Sequence, residues 1–313
     1  MPKISIVIPV YKAQECLDEL YRRLCASLEP DLADFEVILV EDCGGDRSWE
    51  LIQELSKKDP RIKGIQFSRN FGQHHGITAG LDHCEGDWTV VMDCDLQDRP
   101  EEIPNLYRKA QEGYDVVLAK RTHRKDKPSK IFGSSFFYEV FFYMTDIRYD
   151  RQVGNFRILS RKVVKNLRTM REQLRFFVGQ VHWLGFSTSS IDVQHDPRFK
   201  GQTTYTYKKL FKLAFEAILD YSDKPLRLSV KFGFMMAFVS FIFGLFIFGR
   251  ALFYGSPVLG WSSLIVSLYF LSGVIITILG VIGIYLGKIF DETKRRPLYV
   301  ISDTTFKTER PAV

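Results

Sequence analysis

Residues 4–10, ISIVIPV, form an unbroken run of apolar and β-branched positions, and in the following ECLDELYRRLCASL the apolar positions recur every three to four residues. The first pattern predicts a strand buried on both faces, the second an amphipathic helix. The alternation continues through FEVILVED, SWELIQELSKK, IKGIQFS, HHGITAGLDHC, WTVVMDCD, IPNLYRKAQEG and YDVVLAKR. Continuous apolar strands separated by helices predict an α/β domain built on a mostly parallel sheet covered on both faces. In such sheets ligands bind beyond the C-terminal ends of the strands. The first apolar run is short and lacks a small-residue cleavage pattern, so it reads as a buried strand and not as a signal peptide.

The pattern changes near the C-terminus. Residues 228–249, LSVKFGFMMAFVSFIFGLFIFG, carry one charge, Lys231, and residues 261–286, WSSLIVSLYFLSGVIITILGVIGIYL, carry none. A helix needs roughly 20 apolar residues to span a bilayer, so both blocks predict membrane helices. Gly255, Ser256 and Pro257 between them predict a tight turn and therefore a transmembrane hairpin. Lysines and arginines gather ahead of the hairpin (Lys208, Lys209, Lys212, Lys224, Arg227 and Lys231 near the start of the first block) and after it (Lys288, Lys294, Arg295, Arg296), while the connecting loop has only Arg250. That asymmetry predicts a multi-pass membrane protein with the large domain and both termini in the cytoplasm. The chain thus divides into a cytosolic domain (1–206), an amphipathic juxtamembrane helix (207–227), the hairpin (228–287) and a cytosolic tail (288–313). In the second of these, Phe211, Phe215, Ile218 and Leu219 make an apolar stripe that suits either a helix lying in the headgroup plane or one facing a core. An aromatic stripe over 131–144 suits the membrane interface or packing between protomers.

Composition adds little to this picture. The 313 residues are 46% hydrophobic and 26% charged, with 26 Phe, 14 Tyr and a net charge of +6, a weak pull toward phosphates or lipid headgroups. Cys16, Cys25, Cys43, Cys84 and Cys94 show no CxxC spacing and read as reduced thiols, mostly small core fillers. GxGxxG and GxxxxGK[ST] are absent, as are helix-turn-helix and zinc-finger patterns, so neither a dinucleotide cofactor nor a nucleic-acid partner is expected.

Candidate chemistry collects at the strand ends. Pro9 and Tyr11 follow strand one, Glu41 to Asp46 strand two, Ser68 to Gln73 strand three, and Asp93 and Asp95 strand four. Asp93 and Asp95 point to opposite sides if the strand continues through them, and converge only if the chain turns. With Asp98 nearby, three carboxylates repel one another, and a hard divalent cation removes that cost. Oxygen ligands without clustered histidines favour Mg²⁺ or Mn²⁺. The alternative is an acidic loop leading into a helix, with Asp98 near its N-terminus.

ISIVIPVYKAQECLDEL, VILVEDCGGDRS, SRNFGQHHGITAGLDHCEGDWTVVMDCDLQDRPEEIP, VGNFRILSRKVV and RFFVGQVHWLGF, taken in that order, resemble the polyprenyl-phosphate glycosyltransferases. These are the dolichol-phosphate-mannose-synthase-like, inverting members of glycosyltransferase family 2, and among them the bacterial enzymes that load undecaprenyl phosphate with a hexose for O-antigen or cell-wall decoration. The resemblance implies a glycosyltransferase A-type domain that uses Mg²⁺ or Mn²⁺ to hold a UDP-sugar. A polyprenyl phosphate in the bacterial inner membrane is then the acceptor, giving a β-linked lipid-phosphate sugar and UDP. Glucose is the favoured sugar, with N-acetylglucosamine, galactose and mannose as alternatives, and a non-catalytic membrane scaffold as the reading from another class. By resemblance, Pro9, Tyr11 and Asp42 line the nucleoside pocket, and Ser68, Arg69 and Asn70 close around the nucleotide. Asp93 and Asp95 are the metal-binding pair, with Asp95 the direct ligand, and Gln97 supports the metal or diphosphate. Arg121, Lys130 and Ser134 match the acceptor-phosphate site, and Arg157 lies near the reaction centre. The family allows a homo-tetramer. Two departures stand out: Gly44 and Gly45 occupy a loop where relatives commonly carry serine, and Thr204 occupies the place of an expected lysine.

Overall fold

The computed structural model describes residues 3–30, 34–121, 143–144, 152–194, 196, 222, 224–254 and 260–307. They fall into two units. The first comprises residues 1–138, 147–205 and 296–313, and the second residues 139–146 and 206–295.

In the first unit the predicted alternation is observed: β1 (Ile4–Val10), α1 (Leu17–Leu28), β2 (Phe35–Glu41), α2 (Ser48–Lys58), β3 (Ile62–Phe67), α3 (Gln73–His83), β4 (Trp88–Val91), α4 (Ile103–Ala110) and β5 (Val116–Arg121). Then follow β6 (Val153–Ser160), α5 (Arg161–Leu167), α6 (Phe177–Trp183), β7 (Thr188–Val193) and, from the end of the chain, β8 (Ile301–Thr304). The sheet runs β7-β5-β6-β4-β1-β2-β3-β8. β1 pairs in parallel with β2 and β4, β2 with β3, and β5 with β7, whereas β6 and β8 run antiparallel to their neighbours.

Two-sided burial follows from the pleat. Ile4, Ile6, Ile8 and Val10 of β1 face Leu17, Leu20, Leu24 and Leu28 of α1 and Ile103 and Leu106 of α4. Val7 lies on the opposite face with Ile77 and Leu81 of α3 and Val163 and Leu167 of α5. α3 lies so close to β1 that a Cβ at Gly80 would meet Val7 Cγ1 at 2.2 Å, and one at Gly76 would meet Pro9 Cβ at 3.1 Å. Glycine at these positions therefore sets how closely the helix that begins at the mouth of the sheet can approach it.

The second unit contains two long helices, α7 (Lys224–Tyr254) and α8 (Trp261–Thr293). Phe234, Phe238, Phe246, Tyr269, Ile276 and Leu286 are all more than 60% exposed, an apolar surface that suits contact with lipid. The expectation of two spans and a multi-pass placement is corrected here. Among the described residues one helix segment, Ser267–Thr293, is long and apolar enough to cross a membrane. The two helices also differ in where their charges fall. α7 has Lys224, Arg227, Lys231 and Arg250 along it, leaving 18 uncharged residues between the last two. That is about 27 Å of helix against a hydrocarbon core of about 30 Å. In α8, residues 261–287 are uninterrupted by charge. Of the two expected stripes, the one over 207–227 lies outside the described residues apart from its last few positions, and the aromatic one over 131–144 apart from residues 143–144.

Candidate active site

The parallel strands β1 to β4 deliver their C-terminal ends to one edge of the sheet, and backbone strain marks that edge. Lys12 after β1, Cys43 after β2 and Leu96 after β4 have φ of 52°, 51° and 61°, in the left-handed region that side chains other than glycine seldom adopt. Such outliers concentrate at sites where loops are held for a purpose other than stability.

The β4 exit settles how the two aspartates lie. β4 ends at Val91, before Asp93, and the chain turns through residues 92–97. Because the strand does not continue through the acids, strand alternation no longer separates them. Asp93 Oδ1 accepts hydrogen bonds from Gln73 Nε2 (2.7 Å) and Asn155 Nδ2 (3.3 Å). Asp95 Oδ1 accepts the Gln97 N–H at 3.2 Å, so Gln97 braces the acidic turn through its backbone. Asp98 is buried, and its carboxylate is paired with Arg121 Nη2 at 3.1 Å. Burial, reinforced by the Asp98 and Asp95 charges, pushes the Asp93 carboxyl up to about 7. Burial also raises Asp98, against the pull of Arg121. The Cys94 thiol between the acids is raised to about 12 by burial and by Asp93 and Asp95, which excludes it as a thiolate nucleophile.

Asp42, at the end of β2, is buried, and its carboxylate accepts the N–H groups of Phe71 (2.6 Å) and Gly72 (2.9 Å), while Asn70 Nδ2 donates to its backbone carbonyl at 3.0 Å. Burial raises its pKa despite those two N–H donors. Asp42 and Asn70 thus clamp the β2 exit to the loop leading into α3. Ser68, Arg69 and Asn70 are exposed, and the Arg69 guanidinium lies over the Phe71 ring, 4.0 Å from its centroid. Pro9 is buried, whereas Tyr11, 40% exposed, presents its ring at the β1 exit. The departure at Gly44 has a steric reason: a Cβ there would lie 2.8 Å from the backbone nitrogen of Lys12, and Gly45 has φ of 73°.

Arg157, on β6 opposite Val91, is 1% exposed and donates through Nη2 to the Gly154 carbonyl (2.6 Å) and through Nε to the Asn155 carbonyl (3.2 Å). Its guanidinium lies 4.9 Å from the centre of the Phe177 ring. It holds the start of β6, the stretch that presents Asn155 to Asp93. Arg121 also sits at this corner, since a Cβ on Gly154 would meet its Nη2 at 2.7 Å. Lys130, Ser134 and Thr204 lie outside the described residues. His74 and His75 open α3, and both are lowered to about 4, chiefly by burial, so neither is charged near neutral pH.

The sequence reading placed Gln73 at the end of strand three without a role, and it missed Asn155. Asn155 had a signal, because two residues from Arg157 on a strand is the same face. Gln73 had its place in the polar run after strand three, but nothing there showed that its amide reaches Asp93.

Among the described residues, no group of three or more acidic, histidine or cysteine side chains is placed to hold a metal by itself. The donor set still fits a cation of the Mg²⁺ class, which takes one or two protein carboxylates and completes its shell with substrate phosphates and water. Burial and the Asp98 and Asp95 charges disfavour ionised Asp93 against the pull of Arg121, a cost that a bound cation would offset.

The sequence profile of the family described as "Glycosyl transferase family 2" matches residues 5–168, from β1 through the end of α5. The chain belongs to glycosyl transferase family 2. It is a glycosyltransferase, and its likeness to individual members extends beyond the matched domain. It is 41% identical over 298 residues to the Bacillus subtilis protein named "Uncharacterized glycosyltransferase YkcC", covering 95% of this chain and 92% of that one. It is 36% identical over 302 residues to the "Bactoprenol glucosyl transferase" of Shigella phage SfV, covering 96% and 98%. The Escherichia coli K12 "Prophage bactoprenol glucosyl transferase homolog" is 36% identical over 300 residues, with the same coverage. The similarity includes the apolar helices, so this family 2 member shares its whole layout with those relatives and not the catalytic domain alone.

Proposed function

We propose that the chain transfers glucose from UDP-glucose to the phosphate of a polyprenyl phosphate, with inversion, releasing UDP and leaving a β-linked lipid-phosphate sugar. The observation that carries this reading is the likeness to bactoprenol glucosyl transferases over 96% of this chain and 98% of theirs. The acidic turn supports it, since it gathers carboxylates where a nucleoside diphosphate would meet the sheet.

In this reading the exposed Tyr11 ring and the clamped loop Ser68–Gly72 receive the nucleoside, with Pro9 and Asp42 setting the pocket floor. Asp95 and Asp93 would hold Mg²⁺ or Mn²⁺, and the ion would supply neutralising charge for the diphosphate. Asn155 and Gln73 fix the rotamer of Asp93, and Arg157 fixes Asn155. Arg121 stands where an acceptor phosphate needs a cation. Two anions must be brought together, and a guanidinium between them offsets their repulsion. Lys130 and Ser134 join that acceptor site. A phosphate monoester is largely ionised near neutral pH, with a second pKa of about 6, so the acceptor oxygen attacks without a strong general base. The apolar α8 keeps the catalytic domain, on the cytoplasmic face, beside its lipid acceptor.

The test is sugar transfer by washed membranes carrying the protein, with undecaprenyl phosphate, Mn²⁺ and a panel of UDP-sugars. The expected result is a lipid product heavier by one hexose, formed fastest from UDP-glucose. Fastest transfer from another sugar would revise the donor, and no transfer from any donor by folded protein would reject the function in favour of a scaffold.

A further inference from the structure

The chain leaves the sheet-bearing unit after residue 205 and re-enters it at residue 296, three residues past the end of α8 at Thr293. The re-entering segment docks on β3. Ile301 pairs with Phe67, Asp303 with Gln66 and Thr304 with Ile65, and a register shift falls between Gln66 and Phe67. The Ser68 N–H donates to the Val300 carbonyl at 3.0 Å, and Thr305 Oγ1 accepts the Gly64 N–H at 2.8 Å. Leu298 and Tyr299 are 7% and 8% exposed, as deeply placed as core residues of the sheet. Tyr299 Oη donates to Asp82 Oδ2 at 2.8 Å, and Arg171 pairs with the same oxygen at 2.8 Å.

The Tyr299 ring packs on the end of β3. It stacks on Phe67 with centroids 5.3 Å apart and planes 22° apart, and Phe67 meets Phe71 edge-on at 5.4 Å. Phe71 is the residue whose N–H is held by Asp42. An unbroken series of contacts therefore runs from Tyr299 through Phe67 and Phe71 to Asp42, and a parallel backbone contact runs from Val300 to Ser68. Both reach the loop that the proposed function assigns to the nucleotide.

We propose that the segment 298–306 positions the donor loop Ser68–Gly72, with Tyr299 as the positioning residue, so that nucleotide affinity depends on a strand supplied by the chain that follows the membrane helix. This inference rests on the donor reading above. Edge strands otherwise need protection from pairing with other chains, and covering β3 explains β8. It does not explain why a buried tyrosine is set against the one aromatic pair that ends at Asp42.

The test uses the full-length protein in detergent, with Tyr299→Phe and Tyr299→Leu, a measured UDP affinity in Mn²⁺, and donor KM and kcat. Tyr299→Leu removes the stack and is expected to raise the UDP Kd and donor KM about tenfold while leaving kcat at saturating donor within about twofold. Tyr299→Phe keeps the stack and is expected to restore affinity to within about threefold of wild type. Amide exchange at residues 68–72, measured without nucleotide, is expected to speed up about tenfold in Tyr299→Leu and to stay near wild type in Tyr299→Phe. Wild-type UDP affinity and exchange rates in Tyr299→Leu would overturn the inference alone. A fall in kcat with unchanged KM would also overturn it, because that pattern belongs to loss of folded enzyme. If Tyr299→Leu does not fold, Val300→Pro, which keeps the ring but alters the strand entry beside the Ser68 contact, replaces it with the same expected and overturning results. Failure of wild-type protein to bind UDP would instead reject the donor reading, and the exchange measurement would still decide whether the segment orders the loop.

Discussion

The charge held at Asp93 gives a direct handle on the site. Asp93→Asn keeps the side-chain shape and an oxygen able to accept both the Gln73 and the Asn155 hydrogen bonds, and it removes the charge that burial, Asp98 and Asp95 make unfavourable. The carboxyl is raised from 3.8 to about 7. Its folded-state pKa is therefore above the unfolded value, so ionising it opposes folding. The penalty is absent below pH 3.8, grows as pH rises toward about 7, and is complete above that. At about 1.4 kcal/mol per pH unit, a rise of about 3 units sets a ceiling of about 4 kcal/mol. The side chain retains some contact with solvent, and halving the ceiling for screening gives about 2 kcal/mol. Without metal, Asp93→Asn should then melt about 4–8 °C above wild type at pH 8. The gain should shrink as pH falls from 7 toward 5. Differential scanning fluorimetry of the detergent-solubilised protein in EDTA, run at both pH values, measures it. An Asp93→Asn protein that melts below wild type at pH 8, or a gain equal at the two pH values, would refute the claim that the turn carries uncompensated charge. The same variant should lose metal-dependent transfer, which separates stability from function.

Two other predictions concern neighbouring groups. Arg121→Gln leaves the buried Asp98 carboxylate without its guanidinium and should cost about 3 kcal/mol in the same melts. Adding Asp98→Asn should recover most of that stability while acceptor KM stays elevated; a double variant no more stable than the single one would show that the pair is not coupled. Gly44→Ser puts a Cβ 2.8 Å from the Lys12 backbone nitrogen. It should lower stability by about 1–3 kcal/mol and raise donor KM, and neutral melting with unchanged KM would show that the loop opens freely.

Much of the domain was legible because its strands are buried on both faces. ISIVIPV and FEVILVE need no partner to be recognised as core strands, and helix periodicity fixes what lies between them. The edge carrying the site followed from the fold rule for parallel strands. Less visible was whatever depended on contacts distant in sequence. β8, reading ISDT, alternates poorly and lies beyond the apolar helices, so only its pairing with β3 reveals it as part of the sheet. The acidic turn was legible as composition, but not as geometry, because the end of β4 at Val91 depends on how far β6 pairs alongside it. Arg157 was named for its neighbourhood to the reaction. Its near-complete burial, and its bonds to the Gly154 and Asn155 carbonyls, emerge only once β6 is threaded between β4 and β5. Of the two apolar blocks expected to span, one described segment, Ser267–Thr293, is long and apolar enough to do so.

The account stands on a cation-assisted hold of Asp95 and Asp93 on the donor diphosphate. Calorimetric titration of UDP into the full-length protein, with and without Mn²⁺ and with Asp95→Asn, measures that hold without any acceptor. The account predicts UDP binding that requires Mn²⁺ and weakens at least about tenfold in Asp95→Asn. UDP binding equally well without the metal, or unchanged by the substitution, would contradict it.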